Sequence, residues 1–575
     1  MNKLLFSFAA VATLVAFDVH GASKDVLEEC AAQVRLMNAD ALKRLADDWA
    51  QTPGSDANDV AAVRAFAATV ESEKKAALAA VATGRDAPAQ VLLARQRRLL
   101  SAHPLVRNLS ILAVKHRGGD PRRDAHPAQP NLSCYNHLII DRNRAASLVV
   151  LSGFRDEEPT ERELYKHTGT IHSVDLNWDG RRILFVGPDP ARGKAWRLFE
   201  TDADGTLAKT LLPTNFIHEA ADCCWLPDGR IVFTSDAGEQ GLPCESGRLR
   251  MSNSYRLDPA NGKVDRLTYD QDSNWYPSVL NDGRIQYVRW EYCDVPHFFS
   301  RVLMTMNPDG TRQMGFYGSN DYWPNHFGSP LAIPGDNGKF IAVATGHHSP
   351  KSGKLVLFDA ARAHAGPKGC VQMLPGWGKP PDDKIMDGLY NGSYPRFLQP
   401  FPLGSSPADG AGKFFLAAMK ASKNSLWGIY LVDVFDNITL LAECEGWCLN
   451  EPIALAARKR PPSIPDRRRE NVPYCTMYCG DLYQGEGLKG LPRGTVKSAR
   501  IFAYHYAFNH TGSHQAVGVE SSWDMKYVLG EVPVTEKGGI FFNAPVNTPI
   551  SIQPLDAEGR AVQLMRSWTV GMPGE

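Results

Sequence analysis

The sequence predicts a mainly β protein: a six-bladed β-propeller preceded by a helical segment and followed by a small β-domain. Two repeats predict the blades. A tight Asp-Gly turn, whose residues accept the positive φ of a hairpin, precedes or follows a short β-run at four places. Three of these blocks recur about every 50 residues, the period of a four-stranded blade. The turns are Asp179-Gly180, Asp228-Gly229, Asp282-Gly283 and Asp309-Gly310.

The second repeat is an aromatic or aliphatic run closed by an acidic turn, as in the residues from Ile429 to Asp433. Five such runs, together with the opening strands, indicate six blades. Seven blades are the alternative, because the segment 336–393 is long enough to contain an atypical one. Closure into a ring leaves only short protected strand edges, which suits an all-β chain of this size.

The N-terminal residues 1–22 have the layout of a secretory signal peptide. Lys3 precedes an apolar stretch, residues 4–17, and the small residues Gly21 and Ala22 follow. The apolar stretch is too short to span a bilayer. We therefore expect a secreted or periplasmic protein without membrane insertion.

The composition of the chain after residue 22 indicates four further segments. Residues 23–103 are rich in Ala, Leu, Glu, Lys and Arg and predict two or three amphipathic helices. The propeller is assigned to 104–456, a Pro- and Arg-rich linker to 457–493, and the C-terminal β-domain to 494–575. The basic run 467–469 is interpreted as a solvated part of the linker. Basic and acidic residues both number 63, so no nucleic-acid partner is indicated.

Eleven cysteines suggest disulfides if the protein is exported to an oxidising compartment. Cys444 with Cys448, and Cys475 with Cys479, are close enough in sequence to be candidate pairs, although spacing does not fix connectivity. An odd total leaves at least one thiol unpaired. No Cys-x-x-Cys-His motif for covalent haem attachment occurs in the sequence.

Several sequence motifs are more specific than those of a generic propeller blade. The run 289–297 (RWEYCDVPH), with 306–310 and 317–325, resembles the propeller of the hydrazine synthase alpha subunit family. The resemblance extends from about residue 104 to the last residues, 572–575 (MPGE). It implies an exported TolB-like propeller and a c-type haem, which in the family is attached just after this last phrase. Three explanations stay open for the missing motif: a truncated product, a fragment, or a member that has lost the haem.

The resemblance also implies a zinc ion held by Asp, Cys and His, with the His supplied by the haem motif. Cysteine, histidine and carboxylate all ligate zinc. Candidates by residue type form two groups, namely Asp222 with Cys223 and Cys224, and Glu291 with Cys293, Asp294 and His297. The alternative is that Cys223 or Cys224 forms a disulfide, for example with Cys244, and that Glu291 and Asp294 hold blade turns.

Polar residues just before inner-strand blocks are candidates for the mouth of the central channel: His172, Asp175, Asn325 and His326. His347 is a further candidate, although only one member of the pair His347-His348 can face a site on a strand. These residues predict either a ligand site or structural closure of the channel. His505, His510 and His514 are candidates for metal or distal haem ligation, or ordinary polar residues.

Together these observations predict an exported scaffold of a c-type haem redox protein that acts with a redox or subunit partner protein. The alternative is a non-catalytic binding module for a protein, peptide or glycan. A zinc-dependent hydrolase is a third and weaker hypothesis. The sequence contains no self-contained catalytic motif of the G-x-S-x-G, H-E-x-x-H or Walker type.

Overall fold

The structure is a computed structural model, and it describes residues 22–117, 120, 122, 142–205, 208–242, 247–291, 300–319, 321–347, 349–504, 510, 525–565 and 567–575. The predicted signal peptide lies almost wholly outside these residues. Within the described ranges, no helix is long and apolar enough to cross a membrane.

Four helices precede the propeller: α1 (Lys24–Arg35), α2 (Ala39–Trp49), α3 (Ala57–Ala82) and α4 (Ala87–Leu100). The first three begin at side-chain caps, as where Asn38 accepts a hydrogen bond from the Ala41 N–H at 3.0 Å. Trp49 and Phe66 are fully buried and share one hydrophobic core with propeller residues such as Phe414. The helical segment is therefore packed onto the propeller.

Six four-stranded antiparallel sheets form the propeller, which confirms the predicted fold class. The last inner strand, β24, pairs with β1 and closes the ring between the two ends of the propeller sequence. Segment 336–393 supplies strands of the fifth blade and the connection to the sixth, so its described residues, 336–347 and 349–393, contain no seventh blade. From the axis outward, the strands are β24 (Cys448–Ala454), β1 (Ile111–His116), β2 (Ala146–Ser152) and β3 (Thr160–His167) in blade 1; β4 (His172–Leu176), β5 (Arg182–Asp189), β6 (Ala195–Asp202) and β7 (Lys209–Thr210) in blade 2; β8 (Ala220–Trp225), β9 (Ile231–Ser235), β10 (Asn253–Asp258) and β11 (Lys263–Arg266) in blade 3; β12 (Asn274–Val279), β13 (Ile285–Glu291), β14 (Ser300–Met306) and β15 (Met314–Tyr317) in blade 4; β16 (His326–Ala332), β17 (Lys339–Thr345), β18 (Lys354–Asp359) and β19 (Cys370–Leu374) in blade 5; and β20 (Arg396–Pro402), β21 (Phe414–Lys420), β22 (Gly428–Asp433) and β23 (Ile438–Ala442) in blade 6.

The repeated Asp-Gly turns all lie at one end of the propeller, which we call the Asp-Gly face. Three of them join an inner strand to the second strand of its blade, and the fourth joins the third and fourth strands of blade 4. Their glycines have φ between +74° and +89°, the left-handed conformation that favours glycine. Because the strands of a blade alternate in direction, turns after the first and third strands meet at the same end.

The C-terminal β-domain begins earlier than predicted. Strand β25 (Tyr474–Cys479) pairs with β28 (Ile540–Pro545), and β26 (Ser498–Tyr504) lies between β27 (Lys526–Pro533) and β29 (Ile550–Leu555). The predicted linker 457–493 therefore contains the first strand of this domain. The segment without helix or strand that leaves the propeller is 455–473.

This linker lies on the Asp-Gly face rather than in solvent. The Asp466 carboxylate lies 3.1 Å from Arg230 and 2.7 Å from Arg256, and the Arg467 N–H donates to Asp309 at 2.6 Å. The Arg468 side chain is only 8% exposed and lies 3.4 Å from Asp265. The prediction of a solvated basic run is therefore wrong for Arg468, because Asp265 of strand β11 pairs with it.

The predicted disulfides are absent from the described residues, where all eight cysteines are free thiols. Cys475 and Cys479 lie at the two ends of β25, opposite Ala544 and Ile540. Four residues of extended strand separate their Cα atoms by about 13 Å, whereas a disulfide needs about 4.4 to 6.8 Å. That pairing is wrong, and Cys444 with Cys448 is also unbonded.

Candidate ligand cavity in the propeller channel

Each of the six inner strands carries the same irregularity. A β-bulge shifts the register of every inner strand, and one non-glycine residue beside the shift has φ between +40° and +52°. Holding such a residue in this conformation costs about 1 to 3 kcal/mol. We call these six residues the bulge ring: Glu451, Ser173, Asp222, Tyr276, Ser329 and Gln399, in blades 1 to 6.

Hydrogen bonds connect five of the six members of the bulge ring, in blades 6, 1, 2, 3 and 4. Gln399 accepts from the Glu451 N–H at 3.2 Å, and the Glu451 carboxylate accepts from the Ser173 N–H at 3.0 Å. The Ser173 hydroxyl donates to Asp222 at 3.3 Å, and Asp222 accepts from the Tyr276 N–H at 3.5 Å. A side chain of one blade thus satisfies a backbone N–H that the bulge frees in the next.

A cavity of about 710 Å³ lies along the axis between the bulge ring and the Asp-Gly face. Its wall includes the residue that follows each ring residue, and four of these six residues are prolines. Trp178, Phe401 and the start of the linker, residues 458–462, border the mouth. The wall residues are Pro452, Val174, Cys223, Pro277, Pro330 and Pro400.

Two carboxyl groups of the ring have strongly perturbed acidity. Burial raises the pKa of Asp222 to about 7, although hydrogen bonds from Tyr276 and Ser173 oppose this shift. Burial also raises the pKa of Glu451 to about 7, and the charge of Asp222 adds to the effect. Both residues therefore exchange protons near neutral pH in a partly apolar cavity.

The side chain of Arg458 is fixed at the mouth. The Arg458 guanidinium lies 3.1 Å from the Asp175 carboxylate, 4.8 Å from the centre of the Trp178 ring and 5.8 Å from that of Phe401. Burial raises the pKa of Asp175, while Arg458 opposes this shift. The linker thus borders the cavity through an ion pair and two cation–π contacts.

Comparison with known proteins shows which family model and which solved structures this chain is similar to. Residues 494–575 match the family model described as the hydrazine synthase alpha subunit middle domain. The structure of Kuenenia stuttgartiensis hydrazine synthase aligns with a TM-score of 0.59 at 16% identity, covering 81% of this chain and 68% of that chain. The resemblance to the hydrazine synthase alpha subunit family is confirmed.

Two weaker structural matches are to proteins named TolB. TolB from Acinetobacter baumannii aligns at 17% identity and a TM-score of 0.27, covering 47% of this chain and 67% of that chain. A TolB described as putative, from Agrobacterium tumefaciens, aligns at 14% identity and a TM-score of 0.28, covering 44% and 85%. No curated protein sequence matches the chain.

Of the five channel-mouth candidates, only Asp175 lines the cavity. His172 precedes Ser173, and its buried ring packs on Trp196 with ring centres 4.8 Å apart. His326 lies beside Trp275 at 6.0 Å, and Nδ1 of His347 is 2.7 Å from Nη1 of Arg301. The three histidines are thus buried between blade elements. Asn325 is also buried, and its amide donates to the Tyr322 carbonyl at 2.6 Å.

The described residues do not fit the zinc ion that the family resemblance implies. Among them, no three His, Cys, Asp or Glu side chains are grouped to hold a metal ion. Burial raises the pKa of the Cys224 thiol well above its usual value, whereas zinc binds the thiolate. The Cys223 thiol donates to the Ser173 carbonyl at 3.1 Å.

Cys244, Cys293, Asp294 and His297 lie outside the described residues, as do His348, His505 and His514. His510 is placed by its N–H, which donates to the Gly247 carbonyl at 2.8 Å.

Sequence reasoning missed the contact between blade 4 and the C-terminal domain. The indole N–H of Trp568 donates to Asp270 at 2.5 Å, and the buried Arg289 guanidinium lies 4.7 Å from the centre of the Trp568 ring. The Ser567 hydroxyl donates to Glu291 at 2.7 Å, and Arg289 donates to the same carboxylate. Glu291 thus links Ser567 of the C-terminal domain to Arg289 of blade 4. The pattern of a tryptophan near the C-terminus was visible, but its partners are about 280 residues away in sequence.

Proposed function

We propose that this chain is the propeller scaffold of an exported c-type haem redox protein related to the hydrazine synthase alpha subunit. The supporting observation is the match of residues 494–575 to the hydrazine synthase alpha subunit middle domain, next to a six-bladed propeller. The signal-peptide layout of residues 1–22 supports export. A redox or subunit partner protein is part of this proposal.

The residues present do not fit covalent attachment of haem, because the sequence lacks a Cys-x-x-Cys-His motif. The haem would be carried outside these 575 residues, and when bound it would supply electron transfer at iron. The role of this chain would be to position neighbouring groups. Trp568, Arg289 and Asp270 hold the C-terminal domain against blade 4 and fix its orientation on the propeller.

The test is expression of the complete natural gene product in a bacterium that matures c-type cytochromes. We expect export, and a haem that stays with a polypeptide after denaturing electrophoresis, either this one or a co-purifying partner. A matched product that ends at Glu575 should show no covalent haem. If the natural protein stays in the cytoplasm, or if neither it nor any co-purifying protein carries haem, the proposal is wrong.

The cavity supports a second candidate function, a non-catalytic binding module. A pocket of about 710 Å³ with an apolar wall and a few polar groups at one end is typical of small-ligand sites. A thermal-shift screen with peptides, oligosaccharides, amines and carboxylic acids tests this function. A true ligand should raise the melting temperature of the wild type but not of Val174→Phe, which adds a ring to the cavity wall. If no compound does so, the binding module is rejected.

A further inference from the structure

We propose that the propeller cavity binds an organic cation, a primary amine with an apolar body, with its ammonium group between the carboxyl groups of Asp222 and Glu451. This inference rests on the second proposed function and names its ligand class. It concerns the axial cavity alone, and neither haem nor zinc takes part in it.

The two carboxyl groups are neighbours across one residue. Ser173 donates its N–H to Glu451 at 3.0 Å and its hydroxyl to Asp222 at 3.3 Å, so the two side chains flank the same serine. Glu451 and Asp222 both line the cavity. A group that enters along the axis from the mouth therefore meets both carboxyls at the bulge ring.

The Glu451 carboxylate retains acceptor capacity. One oxygen of Glu451 accepts from the Ser173 N–H, and the other accepts from the Val174 N–H at 2.6 Å. A carboxylate oxygen has two lone pairs, so each can accept a further hydrogen bond. An ammonium group has three N–H donors and no acceptor, which suits a site that presents acceptors from two side chains.

The charge at this end of the cavity also favours a cation. Among the residues that the structure describes, no lysine or arginine forms an ion pair with Glu451. The charge of the buried Lys351 lowers the pKa of Asp222, but burial outweighs this effect. At the mouth, Arg458 is engaged by Asp175, and Lys459 and Arg460 are exposed. Burial disfavours the ionised forms of both acids. A bound ammonium group would stabilise these forms, so binding should release protons near pH 7.

The cavity wall determines which kind of body, besides the ammonium group, the ligand can have. Pro277, Pro330, Pro400 and Pro452 present rigid apolar surface and offer no backbone N–H. Such a wall suits an aliphatic or aromatic body rather than a sugar with many hydroxyls. An anionic ligand would face the two carboxyls, and a divalent metal would need more donors than the described residues group together.

The experiment uses the 575-residue chain and three probes of similar size: 2-phenylethylamine, the neutral 2-phenylethanol and the anionic 3-phenylpropanoate. Isothermal titration calorimetry at pH 8 should show saturable binding of the amine and at least about tenfold weaker binding of the other two. At pH 7 the binding enthalpy should depend on the ionisation enthalpy of the buffer, because protons are released.

Glu451→Gln keeps the side-chain shape and should weaken amine binding at least about tenfold. Asp433→Asn is the matched control, because burial raises the pKa of Asp433 to about 7 as well, yet this residue does not line the cavity. Its amine affinity should equal that of the wild type. Val174→Phe should abolish binding by reducing the cavity volume.

A second readout avoids dependence on the folding of the variants. Wild-type affinity for the amine should rise about tenfold from pH 6 to pH 8 as the carboxyls ionise, while that of 2-phenylethanol stays constant. Equal binding of amine and alcohol, or unchanged binding in Glu451→Gln, overturns the inference. If a peptide or glycan binds and the amine does not, the inference fails while the binding module stands; if nothing binds, both fail.

Discussion

Replacing Glu451 by glutamine should reduce the pH dependence of folding stability. Burial raises the pKa of this carboxyl from 4.5 to about 7 in the folded protein. The folded state therefore binds more protons than the unfolded state between these pH values, and the stability of the wild type falls as the pH rises through this window. The shift corresponds to a loss on the order of 3 kcal/mol between pH 4 and pH 8.

Glutamine has no charge to bury, so this contribution disappears in Glu451→Gln. The amide oxygen can replace only one of the two acceptors used by the Ser173 and Val174 N–H groups. The lost hydrogen bond costs about 1 to 3 kcal/mol at every pH. We therefore expect the variant to be less stable than the wild type at pH 5 and to approach or exceed it at pH 8.

The assay is urea unfolding at pH 5, 6, 7 and 8, with the free energy of unfolding extrapolated to water. Glu558→Gln is the control, because it removes an exposed carboxylate that pairs with Arg560, and its curve should run parallel to that of the wild type. A residual pH dependence from Asp222 should remain in Glu451→Gln. If the curves of Glu451→Gln and the wild type are parallel from pH 5 to pH 8, the buried carboxyl does not titrate as described.

Three further predictions concern the linker, the domain contact and the thiols. Asp466→Asn should loosen the linker and speed tryptic cleavage there about fivefold, as expected for roughly 1 kcal/mol of lost ion pairing. Trp568→Ala should destabilise the contact with blade 4 by about 3 to 5 kcal/mol and reduce the hydrogen-exchange protection around Asp270. Peptide mapping after alkylation of the unfolded, unreduced protein should find Cys475 and Cys479 both modified.

Each of these predictions has a control or an opposing result. Asp556→Asn removes a carboxylate that pairs with the exposed Arg560 and should leave linker cleavage unchanged. For the domain contact, unchanged hydrogen exchange in Trp568→Ala would show that the tryptophan does not hold the C-terminal domain. A peptide that carries both cysteines but lacks both labels until reduction would establish the disulfide that the geometry of β25 forbids.

Local sequence was sufficient for the blades, because a blade is a short-range structure. The turn at Asp228-Gly229 and the strand after it depend on neighbouring residues only, so their pattern repeats visibly. Strand β25 was missed for the opposite reason. Its partner β28 lies more than 60 residues away, and its cysteines suggested a disulfide rather than a strand.

The histidine predictions show how alternation along a strand decides which side chain faces the axis. His172 and Ser173 are adjacent, but only Ser173 has the positive φ of the bulge and lines the cavity. The prediction placed polar residues near two inner-strand blocks at the channel mouth, namely His172, Asp175, Asn325 and His326. It could not include the bulge, which changes the side-chain alternation by one residue in every blade.

The bulge ring left a signal that was visible but unused. Four ring residues precede proline, in Tyr276-Pro277, Ser329-Pro330, Gln399-Pro400 and Glu451-Pro452, and each pair begins about four residues into an inner strand. Proline lacks the N–H that a regular strand would pair, so its recurrence there predicts an interruption of the ladder. The other two blades carry Val174 and Cys223 instead, which hides the repeat.

What no local pattern could show is the meeting of Glu451 with Asp222, because they are 229 positions apart in the sequence and come together only when β24 closes the ring. The closure that completes the propeller thus also brings these two buried acids together at the cavity. A protein that needed only closure could use uncharged residues there, as Gln399 and Ser329 do in blades 6 and 5. Glu451 and Asp222 instead place two carboxyls beside the cavity, where they accept the backbone N–H groups of Ser173, Val174 and Tyr276. Binding of an ammonium group would therefore add to a role that these acids already have in the fold.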